Sequence, residues 1–418
     1  MTRSRTLLLA RLTAAAISVG LATSLLPAPT AVAATPRVKS AYFGMTDNDP
    51  TSWPTEPVGA VRLWDTGTTW RDIETSKGVF NFSKLDAQVA AARSHGARVL
   101  VVLGQTPRFH ALQPNASSYY GRGAASVPTL TSWKTYVAKV VRRYKGRGVD
   151  YQIWNEANVR GFWAGSPAKM AELTRAAAKI VNNNDAGAKV VSPALATRLS
   201  GQRKWLRTFY AQRTGGSPVA RWIDVVSLNL YPGTRERPEH SMALLAASRS
   251  MLSAARVHKP IWNTEINYGL QTGGGGTAAR ISEKRQASYV ARTYVLNAAN
   301  GVQKVFWYSW GLQRLANTRL TYAGGSLTPA GRAYGTVHDW LVGSRVASCA
   351  RDGRGTYHCV AKYSGGVRHI FWNPTRKVSI KTPATTTSWT NLAGVSTRIG
   401  ANKSLAVDFA PKMVRSRR

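Results

Sequence analysis

Apolar residues along this chain alternate between two spacings. Short continuous apolar runs are separated by longer stretches in which apolar positions return every three or four residues. The runs are Ala41-Tyr42-Phe43-Gly44, Ala60-Val61-Arg62-Leu63-Trp64, Arg98 to Leu103, Tyr151 to Trp154, Lys189-Val190-Val191-Ser192, Val225 to Leu230, Ile261-Trp262-Asn263 and Val305 to Trp310. Eight strands alternating with helices between residue 40 and about residue 311 predict a closed parallel (β/α)8 TIM barrel.

The helical stretches carry their own punctuation. Ser83 is expected to cap a helix whose buried face is Leu85, Val89 and Ala92, with Gly96 as its stop. Ser282 is expected to cap another, with Tyr289, Val290, Thr293 and Leu296 on its core side. The run Gly273 to Gly276 before it reads equally as a mobile loop over a site and as a flexible connector. Leu327-Thr328-Pro329-Ala330-Gly331 opens a last helix that ends near Gly343.

Beyond that point the pattern changes to short Thr- and Val-rich runs at Tyr357 to Tyr363, His369 to Trp372, Val378 to Lys381 and Ser404 to Phe409. This predicts a small antiparallel β domain over residues 343–411. Cys349 and Cys359 flank Asp352-Gly353 and Gly355, which reads as a disulfide closing a hairpin. The segment Lys412 to Arg418 is basic and is expected to be an unstructured tail. No His/Cys cluster has ligand spacing, so no metal and no cofactor is expected.

Two strand ends carry candidate chemistry. Glu156 follows Val149-Asp150-Tyr151-Gln152-Ile153-Trp154-Asn155, and Glu265 follows Pro260-Ile261-Trp262-Asn263-Thr264. Two carboxylates at the C-terminal ends of strands of one barrel are what double-displacement glycoside hydrolysis requires. One attacks the anomeric carbon while the other protonates the leaving oxygen. A lone strand-end glutamate is ordinarily a salt-bridged or solvated group; the pairing of two, each among aromatics, gives the functional reading its weight.

The first 33 residues have the layout of a secretory signal. Arg3 and Arg5 precede an apolar stretch from Leu7 to Leu26, and Ala31-Val32-Ala33 supplies small residues for cleavage. The mature chain, with its barrel over residues 34–342, is expected to be exported without a spanning segment. Formal net charge is +38, from 57 lysines and arginines against 19 aspartates and glutamates. Such a field gathers anionic partners in a salt-dependent way. It suits either retention at an anionic cell wall or an anionic polysaccharide substrate. The cluster Arg142, Arg143, Lys145 and Arg147 falls on a helix end opposite the glutamates, so specific nucleic-acid binding is not expected.

In Val61-Arg62-Leu63-Trp64, in Trp70 to Asp86, in Trp154-Asn155-Glu156-Ala157-Asn158 and in Asn263-Thr264-Glu265, the chain resembles the clan A glycoside hydrolases, family 39 above all. The likeness runs from about Tyr42 to Trp310. It implies that Glu156 is the general acid/base and Glu265 the nucleophile, about 5–5.5 Å apart, with retention at the anomeric carbon. It implies substrate contact by Asn155, support of the nucleophile by Arg62 and Tyr231, and a sugar platform at Trp310. Trp154 with Phe162 or Trp163 would form the apolar walls that keep Glu156 protonated. Asp65 and His110 lie at strand or loop ends and are further candidates that the resemblance leaves without a role.

The expected function is thus a secreted retaining glycosidase acting on a polysaccharide or glycoconjugate. The alternative is a barrel that binds wall glycans without cutting them. Asn115-Ala116-Ser117 is a glycosylation sequon, relevant only in a eukaryotic host.

Overall fold

The computed structural model describes residues 36–47, 50–269, 280–311 and 316–417. The signal expected over residues 1–33 and the run Gly273 to Gly276 lie outside the described residues. Among the latter, eight parallel strands form one sheet: β1 (Phe43–Thr46), β2 (Ala60–Leu63), β3 (Arg98–Leu103), β4 (Val149–Ile153), β5 in two segments (Val190–Val191 and Leu195–Ala196), β6 (Val226–Asn229), β7 (Ile261–Ile266) and β8 (Lys304–Tyr308). The sheet closes on itself. At one seam β8 pairs with β1, with Val305 opposite Phe43. At the other, β5 takes β4 on its first segment and β6 on its second. Pro193, between those segments, has no N–H to give a ladder, which accounts for the interruption.

Helices follow seven of the strands: α1 (Ser83–Ser94), α2 (Leu130–Tyr144), α3 (Pro167–Asn184), α4 (Ser200–Tyr210), α5 (Pro238–Ala254), α6 (Glu283–Ala299) and α7 (Pro329–Leu341). After β1 the described residues form a short turn at Pro50–Ser52. Thr129, Ser166 and Thr328 cap α2, α3 and α7 by accepting a backbone N–H. Ser83 does not cap α1 as expected. It is the first helical residue, and its N–H is taken by the Asn81 side chain two residues earlier. Gly96 ends that helix in the left-handed region, φ +69°, as its sequence position predicts. The stripe Tyr289, Val290, Thr293 and Leu296 on α6 is buried against the barrel.

The barrel interior is layered, and the layers decide where chemistry is possible. At the N-terminal end Asp150 pairs with Arg98 (2.6 Å) and Lys304 (3.4 Å). Above them Ala60, Leu100, Val191, Val225, Trp262 and Phe306 make an apolar plug. Gly44 is required there: a Cβ at that position would lie 2.6 Å from the Phe306 ring. Above the plug the inward residues turn polar, and Arg62, Gln152, Ser227 and Thr264 are all fully buried. The plug shuts this polar layer off from the other end of the barrel, leaving the C-terminal end as the route for solvent and ligands.

The C-terminal region is antiparallel, as predicted. β9 (Arg345–Arg351), β10 (Tyr357–Tyr363), β11 (Gly366–Trp372), β12 (Val378–Lys381), β13 (Thr386–Thr390), β14 (Ser396–Arg398), β15 (Ser404–Val407) and β16 (Lys412–Ser416) make a six-stranded sheet, β9-β10-β11-β16-β13-β14, and a β12-β15 ribbon. A disulfide joins Cys349 and Cys359, directly opposite each other on β9 and β10. The expectation of an unstructured basic tail is corrected. Lys412 to Ser416 is an inner strand between β11 and β13, and it buries Met413, Val414 and Ser416. Its charges hid the burial: Lys412 lies over the Trp389 ring at 4.4 Å, so the cation is accommodated on an aromatic face.

This sheet is tied to the barrel at a buried ion pair. Arg292 of α6 donates to both oxygens of Glu239 on α5, and the indole N–H of Trp372 on β11 donates to Glu239 Oε1 at 3.0 Å. Ser288 adds a hydrogen bond to the Phe409 carbonyl at 2.5 Å.

Candidate active site

At the C-terminal ends of β2, β3 and β4 the backbone adopts conformations that L-residues avoid. Asp65, Gln105, Trp154 and Glu156 have φ of +59°, +61°, +70° and +41°. Each such residue costs on the order of 1–3 kcal/mol, and such residues concentrate at functional sites. The strain at Trp154 and Glu156 brackets Asn155. Trp154 turns into the core, 4.9 Å from the Trp163 ring centre, with its indole N–H donating to the Phe162 carbonyl at 2.7 Å.

Arg62, fully buried on β2, organises the centre. Its guanidinium donates to Glu265 Oε2 (2.7 Å), Asn155 Oδ1 (2.7 Å) and Gln152 Oε1 (2.8 Å). Glu265 also receives the Tyr231 hydroxyl on Oε1 at 2.9 Å. The second glutamate is held separately. Asn229, which pairs opposite Glu265 across β6 and β7, donates its Nδ2 to Glu156 Oε1 at 3.0 Å.

A single hydrogen-bond circuit links the two carboxyls, and its direction is determined by charge. Arg62 has no acceptor, so Gln152 must present oxygen to it and donate its Nε2 to Ser227 Oγ at 2.6 Å. Ser227 lies 2.5 Å from Thr264 Oγ1, and Thr264 donates to Asn229 Oδ1 at 2.8 Å. That last bond turns the Asn229 amide nitrogen toward Glu156. The orientation of the donor at Glu156 is thereby set from Arg62, four side chains away.

Burial raises both glutamates above their ordinary value, by unequal routes. For Glu156, burial dominates, and the Asn229 hydrogen bond and the Arg62 and Arg198 charges oppose it only in part. For Glu265, burial is again the largest influence, Arg62 pulls down, the Glu156 and Asp65 charges push up, and the Tyr231 hydrogen bond pulls down. Arg62 touches Glu265 and not Glu156. Negative charge in the pair therefore settles on Glu265, and the proton on Glu156.

A family model described as glycosyl hydrolase catalytic core matches residues 112–334, more than half of the chain and a span that contains both glutamates. The chain belongs to that family. This glycosyl hydrolase also superposes on enzymes of known structure. A family 39 glycoside hydrolase from the gut symbiont Bacteroides cellulosilyticus WH2 matches with TM-score 0.68 at 16% identity, over 92% of this chain and 83% of that one. A family 39 β-xylosidase from Caulobacter crescentus gives 0.65 at 15% identity, over 92% and 98%. A family 30 endoxylanase from Clostridium papyrosolvens C71 gives 0.61 at 14% identity, over 92% and 98%. Identities this low speak for a common fold. No curated protein matches the sequence.

Within this glycosyl hydrolase the residues singled out from sequence separate into two groups. Arg62, Asn155, Glu156, Tyr231 and Glu265 converge on one centre. Trp310 stands apart from that polar network: it is 8% exposed and belongs to the hydrophobic core cluster. Asp65 joins the site's rim, accepting the Tyr120 hydroxyl and, at 2.8 Å, the Tyr308 hydroxyl from the end of β8. His110 is turned away, bonded to Glu74 at 2.9 Å and stacked on Trp70. Sequence reasoning missed Gln152, Ser227, Asn229, Thr264 and Tyr308. The available signal was a polar residue at an inward position of an otherwise apolar strand, where burial without a partner is costly.

No helix among the described residues is long and apolar enough to cross a membrane. Nor do they contain a cluster of three or more potential metal ligands.

Proposed function

We propose that this glycosyl hydrolase cleaves a polysaccharide or glycoconjugate by double displacement, with Glu265 as nucleophile and Glu156 as general acid/base. The observation that carries the reading is the unequal treatment of the two buried carboxyls. Arg62 and Tyr231 solvate a negative charge on Glu265, while among the described residues Glu156 has one neutral amide donor and no ion pair. Attack by Glu265 on the anomeric carbon is coupled to proton delivery from Glu156 to the leaving oxygen. Once the glycosyl-enzyme forms, the charge on Glu265 is consumed and the pKa of Glu156 falls. Glu156 then takes a proton from water, which releases the sugar with retained configuration. Asn155, whose oxygen is committed to Arg62, has its amide nitrogen left to donate to the 2-hydroxyl.

The chain acts outside the cell in this proposal, and its large positive charge, +38 over the full sequence, holds it near an anionic wall rather than reading the scissile bond. The test is product release from a panel of neutral and anionic polysaccharides, with wild type beside Glu265→Gln at two salt concentrations. Proton NMR of the first product identifies its anomer. Release by wild type alone with retained configuration is the expected result; saturable binding by both without product points to a glycan-binding barrel.

A further inference from the structure

Beside the two glutamates, whose carboxyls do not line it, lies a cavity of about 350 Å³ bounded by Asp65, Arg71, Gln105 and Tyr120 among others. We propose that this cavity is a second sugar-binding site that accepts a neutral pyranose of the same substrate chain. The inference rests on the glycosidase reading of the adjacent centre and extends it to substrate class.

Two of the strained residues, Asp65 and Gln105, meet in this cavity. Neither strain is needed by the circuit joining the glutamates, so a different requirement maintains it. Asp65 is immobilised by the Tyr120 and Tyr308 hydroxyls. The Gln105 amide lies 3.2 Å from the Thr69 hydroxyl, whose proton goes to Asp72 at 2.6 Å. Arg71 carries a buried Nη1 with no hydrogen-bond partner among the described residues. Gly121, at φ +92°, leaves it room, since a Cβ there would approach Nη1 to 3.2 Å. A buried donor without a protein acceptor is costly, and a ligand hydroxyl would supply that acceptor.

Charge decides the ligand class. Asp65, Asp72 and Arg71 all line the cavity, and the Lys84 ammonium lies beside Gly67 at its edge. The cavity is therefore balanced, although the chain as a whole is strongly basic. Fixed planar donors and acceptors without surplus positive charge suit vicinal hydroxyls, whereas a uronate would meet two carboxylates. Tyr308 connects the cavity to the end of β8, and the charge of Glu265 is felt at both Tyr120 and Tyr308. Asp65 accepts both hydroxyls and so joins the cavity to the end of β8, and in this proposal adjacent sugar units of one chain lie across it.

The test is calorimetric titration of the full-length Glu265→Gln chain with β-linked trisaccharides of xylose, glucose, mannose and galactose, and with uronic acid trisaccharides. At least one neutral trisaccharide is expected to bind at least tenfold more tightly than the uronic ones. Adding Gln105→Gly or Arg71→Gln should weaken it tenfold or more. Glycine suits φ +61°, so Gln105→Gly should fold at least as well as its parent, which unfolding temperature checks. Absence of neutral binding, tighter uronate binding, or unchanged affinity in both variants overturns the proposal. Product formation by wild type with no effect of the variants removes the second site and keeps the glycosidase. Binding lost in the variants, with no product from wild type, keeps the site and removes the glycosidase.

Discussion

Tyr231 donates its hydroxyl to Glu265 Oε1 at 2.9 Å, on the carboxylate oxygen that Arg62 leaves free. This bond favours the ionised glutamate, so its loss raises the Glu265 pKa further above the ordinary 4.5. A nucleophile must be ionised. Tyr231→Phe is therefore expected to move the acid limb of the kcat/KM profile to higher pH, with a larger loss of rate at pH 5 than at pH 8. An unchanged acid limb would assign that limb to another group.

Asn229 has the opposite signature. Its hydrogen bond lowers the Glu156 pKa against the larger effect of burial, so Asn229→Ala raises it and moves the alkaline limb to higher pH. Thr264→Val frees the Asn229 amide to turn and should move the same limb in the same direction. Because both act through one bond, the double variant should lose less than the sum of the two single losses. Steady-state pH profiles of the three variants decide this.

Glu156→Gln should lower kcat by about 10²–10⁴-fold, the usual contribution of a general acid/base. It should also stabilise the fold at neutral pH. A carboxyl whose folded pKa is raised contributes stability that is present below 4.5 and lost as pH climbs through the folded value. The neutral amide has no such loss. The unfolding temperature of the variant should exceed that of wild type at pH 8, and the gap should close toward pH 4.

The Glu239–Arg292 pair behaves differently. Burial pushes the Glu239 carboxyl up, but Arg292 overrides it and holds the carboxyl below its ordinary range. Its contribution is present above 4.5 and is lost as pH falls through the folded value. Arg292→Met leaves a buried carboxylate unpaired and should cost about 3–5 kcal/mol. Glu239→Gln with Arg292→Met should recover part of that loss. Urea unfolding at pH 7 and pH 4 measures both effects.

Much of the barrel was legible because a parallel strand covered on both faces is mostly apolar, and all eight such runs overlap barrel strands. The two glutamates were legible because each terminates such a run. The C-terminal strands were harder. Thr386–Thr390 and Ser396–Arg398 bury little, and Lys412–Ser416 has basic residues where a central strand usually has none. Ser83 misled for a local reason: Asn81 has the same capping chemistry and lies two residues earlier. The circuit through Gln152, Ser227 and Thr264 could not be read from a single strand. Its members come from β4, β6 and β7, and only barrel closure brings them into contact.

That circuit also changes what counts as a diagnosis. A related sequence could retain Trp-Asn-Glu and the distant glutamate while replacing the inward threonine of β7 by valine. It would still display the motif, yet nothing would orient the amide that faces its acid. The heritable unit of this chemistry is thus larger than its two reacting residues. Homologues should be sorted first by the quartet Gln152, Ser227, Asn229 and Thr264, and only then by the pair Glu156 and Glu265.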